Sequence, residues 1–255
     1  MPELKLELRD PETGEAVPLR ELNRDEALAV LQHGEIVAAE LVPWGSNHTF
    51  AVALAHEDEQ HLGIYKPTAG ERPLHDFPFG TLHKREYASW LLSDALGWDI
   101  VPPTVLRDGP YGEGSLQIFV PHTAEFDDDE EFWGADTLVN ERIVLFDHIA
   151  NNADRKLSHC LVSEAGKPFG IDHGLTFHAE PKLRTVMWQF VDEPIRAGLK
   201  ADLLTLLESE DSLAPIQAQL EPEEWDAFLD RIELMATLER YPMLDPRFNI
   251  PYGWW

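Results

Sequence analysis

Apolar and polar positions along the chain change period several times, and each change marks an element. Ala27, Leu28, Val30 and Leu31 recur at helical spacing; Asn23 stands at the N-cap position, Glu26 follows three residues later, and Gly34 stops the run. A helix is therefore predicted between Asn23 and Gly34. From there the pattern turns β-prone, in three short runs: Glu35–Val42, His48–Ala55 and His61–Lys66. Trp44-Gly45-Ser46-Asn47 breaks the first pair and His56-Glu57-Asp58-Glu59 the second. Gly70 to Gly80, with Pro73 and Pro78, predicts a long loop. Helical spacing returns from about Thr81 to Leu96 through Ala88, Leu91, Leu92 and Ala95, with Gly97 placed to cap it. Two more strands, Val101–Leu106 and Ser115–Val120, flank a Gly/Pro turn over 108–114.

After Pro121 helices dominate. Asp127 to Glu131 is an acidic run, expected as a solvated loop or helix start. Thr137–Ala150 predicts a buried helix, through Leu138, Ile143, Val144, Phe146 and Ile149. Leu157–Val162 and Pro168–Ile171 predict a hairpin around Glu164-Ala165-Gly166-Lys167. Ile195–Glu208 and Glu223–Arg240 are the strongest helical stretches that follow, with Pro222 in the first turn of the second. Residues 1–20 are expected as an irregular extension or edge hairpin, and the aromatic tail Pro251–Trp255 as docked on a groove. A strand-rich half followed by a helix-rich half predicts an α+β chain of two lobes with a cleft between them. The expected units are an extension and helix over 1–34, a first lobe over 35–121 and a helical second lobe over 122–255.

Composition narrows the partners. The 255 residues are 44% hydrophobic, enough for a packed core, and carry 47 Asp+Glu against 20 Lys+Arg, a formal charge of −27. Such a charge repels phosphate polymers and anionic lipid surfaces, so neither nucleic acid nor membrane is expected as a partner. The single cysteine, Cys160, cannot form an internal disulfide. There is no leader-like start and no apolar run near the roughly 18 residues that span a bilayer. A cytoplasmic location is expected.

The candidate chemistry sits in two clusters. Asn151–His159 follows a buried helix, and Gly170-Ile171-Asp172-His173-Gly174 ends a short strand. Asp154 and Asp172 are 18 residues apart with the hairpin between them, which brings both carboxylates to one edge. Two such carboxylates suit Mg²⁺-dependent phosphoryl transfer, one aligning an attacking hydroxyl and the other holding the metal. Upstream, Lys66 ends an apolar strand and Glu86 lies in the following helix, a pair able to hold nucleotide phosphates. The turn Pro43–Phe50 could present backbone N–H groups to phosphate. No Gly-x-x-x-x-Gly-Lys-Ser/Thr string is present, which argues against a P-loop enzyme.

This order of parts resembles the phosphatidylinositol 3-/4-kinase-like superfamily, and within it a small bacterial branch, over most of residues 35–200. Members carry Asp-Arg-His-x-x-Asn and Asp-Phe-Gly where this chain has Asp154-Arg155-Lys156-Leu157-Ser158-His159 and Asp172-His173-Gly174. The resemblance implies a bilobal protein-kinase-like fold and an ATP-dependent phosphotransferase using Mg²⁺. Asp154 would orient or deprotonate the acceptor hydroxyl. Lys66, positioned by Glu86, would bind the α- and β-phosphates, and Asp172 would be the principal metal ligand. Gly45, Ser46, Asn47 and Thr49 would lie over the phosphates. Ile118, Phe119 and Val120 would face adenine from the interlobe segment, with Ile64 and Ile171 as pocket walls. Two positions depart from the pattern: His159 replaces the usual Asn as second metal ligand, which opens the site to Mn²⁺, and Lys156 replaces the family histidine. No strongly basic lipid-headgroup loop follows Gly174, so a protein or small-molecule hydroxyl is the expected acceptor. Two alternatives stand beside this. One is a nucleotide-binding pseudokinase or interaction module; the other is a metallohydrolase built on His148, His159, His173 and His178 with the nearby aspartates.

Overall fold

The computed structural model describes residues 8, 18–43, 45, 47–123 and 129–253. Its first half is a five-stranded antiparallel sheet formed by β1 (Glu35–Leu41), β2 (Phe50–His56), β3 (Glu59–Pro67), β4 (Thr104–Gly109) and β5 (Gly112–Ile118), in the order β1-β2-β3-β5-β4. Alternation along the strands gives the sheet two chemically different faces. Val52, Leu54, Tyr65, Val105, Leu116 and Ile118 pack against Ala27, Val30 and Leu31 of α1 (Arg24–His33). That helix starts as expected, with a capping box between Asn23 and Glu26. Ile64 pairs with Ala51 and Gln117, and Lys66 with Ser115, on the other parity.

The last two strands differ from expectation. Both are displaced, and only Pro110 and Tyr111 separate them. Pro102 and Pro103 have no N–H for a ladder, which delays β4. Two of the glycines read as a turn, Gly109 and Gly114, are strand residues pressed against β3. A Cβ on Gly109 would come 2.6 Å from the Tyr65 ring, and one on Gly114 would come 2.5 Å from the Lys66 carbonyl.

The second half is built on α4 (Leu138–Ala150), buried on most of its circumference and packed with α7 (Pro222–Thr237), against which α5 (Ala197–Leu207) also lies. A short helix, α3 (Glu130–Gly134), begins at the end of the acidic run, where the Asp129 carboxylate accepts from the N–H groups of Glu131 and Phe132. A further helix, α6 (Glu210–Gln217), follows α5. The final helix ends three residues earlier than expected, at Thr237, and the backbone of Leu238 after it is extended. The predicted hairpin is present as β6 (Cys160–Val162) and β7 (Pro168–Gly170), shortened because residues 157–159 form a 3₁₀ turn. The result is a bilobal α+β architecture: an antiparallel sheet with one main helix, α2 (Leu82–Ala95), then a mostly helical lobe. Among the described residues, no helix is long and apolar enough to cross a membrane. Trp254, Trp255 and most of residues 1–17 lie outside the described part, as does the docking expected of the tail.

The helix α2 is tied to the second lobe by a buried cation. Arg85 pairs with Glu224 of α7 and donates to the Thr176 carbonyl at 2.5 Å, while its guanidinium lies 5.1 Å from the Phe77 ring centre. The next residue on that helix is Glu86, so this anchor sets where Glu86 stands.

One half-buried histidine makes the fold acid-sensitive. Burial beside the Tyr241 ring pushes His148 down to about 4 from its ordinary 6.5. Between those values the unfolded chain binds the proton and the folded chain does not, so stability falls as pH drops from 6.5 toward 4. Urea midpoints measured across that window are expected to fall less steeply for His148→Gln than for wild type. Parallel curves would contradict this.

Candidate active site

The site begins with a buried ion pair. Asp147 in the last turn of α4 accepts two hydrogen bonds from Arg155, both 2.8 Å, and a third of 2.9 Å from Asn152 Nδ2. Arg155 also donates to the His159 carbonyl at 2.9 Å and to His173 Nε2 at 2.7 Å. The guanidinium lies against Gly170, where a Cβ would come 3.0 Å from it. One side chain thus fixes the end of α4, the loop carrying Asp154 and the segment carrying Asp172. Burial, together with the Arg155 charge, holds His173 neutral, far below its ordinary value.

Around this frame the four predicted ionic residues converge. The Lys66 ammonium sits between the Glu86 carboxylate, in direct contact, and Asp172 Oδ1 at 2.9 Å. Glu86 uses its other oxygen to accept from the His173 N–H at 3.0 Å. Burial disfavours the Lys66 charge, but the Asp172 and Glu86 carboxylates outweigh it and raise its pKa. Lys66 in turn holds the Asp172 carboxyl well below the usual carboxylate range. Asp172 has a left-handed backbone, φ 59°, uncommon for a non-glycine residue and often found where a side chain is aimed for function. Asp154 faces the same cavity. Burial raises its pKa, against the opposing hydrogen bond from Lys156 Nζ at 2.9 Å.

His159 stands beside Asp172, as its motif position implied. Its Nδ1 lies 2.7 Å from the Asp154 carbonyl, which can only accept, so Nδ1 carries the proton. Nε2 then faces Asp172 Oδ2 at 3.4 Å. In the neutral ring these are two lone pairs pointing at each other, an arrangement that a cation between them would relieve. The donor set therefore fits a divalent ion bound by Asp172 and His159.

The cavity, about 280 Å³, is also lined by Gly45, Asn47 and Thr49. Ser46 lies outside the described residues. The turn is clamped to the segment after β3, since His48 N–H donates to Gly70 O at 2.9 Å and Arg72 N–H to Asn47 Oδ1 at 2.9 Å. Arg72 and His83 line the cavity too, and neither stood out in the sequence. A basic residue two positions past a loop glycine was the signal for Arg72.

The expected adenine walls divide. Val120 and Ile171 pack together with Leu161 and Phe169 at the junction of the lobes. Phe119 borders a patch of Ala51, Ala53 and Leu62, which Leu8 covers. Ile64 is half-buried on the Lys66 face. Ile118 points the other way, into the core under α1, and leaves only backbone to the cleft. The Phe119 N–H is spent on Leu62 O at 2.9 Å.

The histidines of the metallohydrolase alternative are not gathered. His148 packs on Tyr241, His173 accepts from Arg155, and His178 Nε2 lies 2.8 Å from the Asp76 carbonyl. Among the described residues, no group of three or more His, Cys, Asp or Glu side chains is arranged to hold a metal ion.

No family model matches the chain. Among solved structures, that of the Helicobacter pylori proinflammatory kinase CtkA superposes with a TM-score of 0.49 at 10% identity, covering 81% of this chain and 93% of that one. A sequence relative gives the stronger relation. Protein Rv2133c of Mycobacterium tuberculosis is 37% identical over 212 residues, which cover 68% of this chain and 74% of that protein. At that identity and coverage, the chain belongs to the family of Rv2133c.

Proposed function

We propose that the protein is an ATP-dependent phosphotransferase. The observation that carries this is the Lys66 ammonium held between Glu86 and Asp172 at the base of a cavity that Asp154 also lines. Lys66 binds the α- and β-phosphates, and Glu86 keeps it aimed. The N–H groups of Gly45, Asn47 and Thr49 cover the phosphates. The base lies against Ile64, Phe119, Val120 and Ile171. Asp172 and His159 hold Mg²⁺ or Mn²⁺, which when bound neutralises charge on the phosphates. Asp154 accepts the proton of the attacking hydroxyl, and its raised pKa improves it as a base. Lys156, on the same carboxylate, faces the transferring phosphoryl group.

The acceptor is a protein or small-molecule hydroxyl rather than a lipid. Several cations that follow Gly174 are engaged within the chain: Lys182 with Asp76, Arg196 with Glu141 and Asp136, and Arg184 against the Tyr252 ring. They leave little free basic surface for a phosphorylated headgroup in a chain of charge −27.

Two measurements test the reading. ATP with Mg²⁺ or Mn²⁺ is expected to raise the melting temperature of wild type and to be turned over. Asp154→Asn should keep the stabilisation and lose about 10²- to 10⁴-fold in kcat. Stabilisation without turnover in wild type would make the protein a pseudokinase, and neither response would refute nucleotide binding altogether. His159→Asn is expected to raise Mg²⁺-supported relative to Mn²⁺-supported activity, because an amide oxygen suits Mg²⁺ better than imidazole does. An unchanged ratio would mean that His159 does not touch the metal.

A further inference from the structure

A second cavity, about 590 Å³, opens at Lys156, the residue whose ammonium lies 2.9 Å from the Asp154 carboxylate. The phosphate cavity and this one therefore meet at the Asp154–Lys156 pair, and nothing in the handling of ATP uses the second. Its wall is the segment Val186–Gln189, joined to the catalytic loop by backbone hydrogen bonds. Arg155 N–H donates to Arg184 O at 3.0 Å, and Val186 N–H to Arg155 O at 3.1 Å. The Trp188 indole is fixed by its own bond to the Thr185 carbonyl at 2.7 Å, and Gln189 by one to the Trp133 carbonyl at 2.7 Å. The space is thus preformed, and its volume is that of a small-molecule site.

Its lining selects charge. The Lys156 cation is already neutralised by Asp154, while the exposed Glu130 carboxylate at the rim makes no ion pair among the described residues. Trp188, Val186 and Met187 supply an apolar wall that includes an aromatic ring. A carboxylate and an indole at one cavity favour an organic cation. The field of a chain carrying −27 draws the same class and repels anions.

We propose that this cavity is the acceptor site and that the acceptor is a small hydroxyl-bearing amine. Its ammonium group lies at Glu130 and Trp188, and its hydroxyl reaches Asp154. The proposal rests on the phosphotransferase reading and names its substrate class. In the transfer, the acceptor oxygen forms a bond to the γ-phosphorus. The bond from that phosphorus to the β–γ bridging oxygen breaks, and its electron pair leaves with ADP. The hydroxyl proton passes to Asp154, giving a phosphate ester and ADP.

The test incubates the full chain with ATP and Mg²⁺ and each of several probes, measuring ADP release and the phosphorylated product by mass spectrometry. Ethanolamine, choline and glucosamine are the amines; inositol and glucose are the neutral probes; glycerol 3-phosphate is the anion, and casein the protein. The amines are expected to give at least about tenfold greater ADP release than the neutral or anionic probes, with a matching phosphate ester. Glu130→Gln and Trp188→Ala should each raise the KM of the best amine about tenfold, the ATP-induced thermal shift serving as the folding control. Equal or better use of neutral, anionic or protein acceptors would overturn the proposal and leave the phosphotransferase reading intact, as would amine turnover with an unchanged KM in both variants. Absence of both ATP stabilisation and turnover with every probe would refute the two together.

Discussion

Asp172→Ala is expected to reduce phosphotransfer by at least about 10²- to 10³-fold, the loss that follows removal of one preorganised electrostatic group from such a site. The side chain has two tasks that no neighbour can assume. One oxygen receives the Lys66 ammonium at 2.9 Å, and the other faces His159 Nε2 at 3.4 Å. Without it, Lys66 keeps only Glu86, the divalent ion of the proposed reaction would lose its principal ligand, and ATP stabilisation should cease to depend on divalent ions. The backbone makes a second effect separable. At φ 59°, alanine carries a left-handed cost of about 1–2 kcal/mol that asparagine largely avoids. Asp172→Asn should therefore be as inactive as Asp172→Ala yet more stable by about 1 kcal/mol in urea titration. Activity close to wild type in either variant would remove Asp172 from the chemistry. Equal stability of the two would remove the strain argument and leave the catalytic one.

The parts of the site that could be read from sequence are those encoded locally. Asn23 and Glu26 announce a helix start because both bonds of the capping box lie within four residues. Asp154 and Asp172 could be placed together because a short hairpin lies between them, and Lys66 could be set on a strand because the strand's apolar run is continuous. What escaped depends on distant partners or on side-chain parity. Arg85 meets Glu224 across 139 residues, and no spacing rule connects them. Asp147 reads as one polar residue in a helix, although it holds Arg155 and through it the loop that carries Asp154. Ile118 was expected to face the cleft, but the register of β5 on β3, with Ile118 opposite Gly63 and Leu116 opposite Tyr65, puts it on the face toward α1. Gly109 and Gly114 resemble turn residues in sequence. Only β3, through the Tyr65 ring and the Lys66 carbonyl, reveals that they are glycine for want of room.

The same dependence makes Asp147→Ala the most destabilising substitution expected in the molecule. Arg155 is fully buried and holds its charge despite that burial, because Asp147 accepts from it twice. Removing one partner of a buried pair leaves an uncompensated charge and costs about 3–5 kcal/mol. Against a total stability of about 5–15 kcal/mol, that is a large share. The melting temperature should fall by about 10 °C or more, at roughly 2–4 °C per kcal/mol for a chain of this size. Asn152 would also lose its 2.9 Å bond to Asp147, and Asn152 Oδ1 is the group that holds the Asp154 N–H at 3.0 Å. Activity should therefore decline even where the variant remains folded. A paired replacement separates charge from packing. Asp147→Leu combined with Arg155→Met removes both ions, and it should recover much of the stability that Asp147→Ala loses, since well-packed apolar pairs often match buried ion pairs. It should recover none of the activity, because the bonds from Arg155 to His159 O and His173 Nε2 go with the guanidinium. If instead Asp147→Ala costs less than about 1 kcal/mol in urea titration, the pair does not secure the loop, and Asp154 must be held by the other bonds around it, those of the Arg155 backbone to Arg184 and Val186 and those of Asp154 itself to Asn152 and His159.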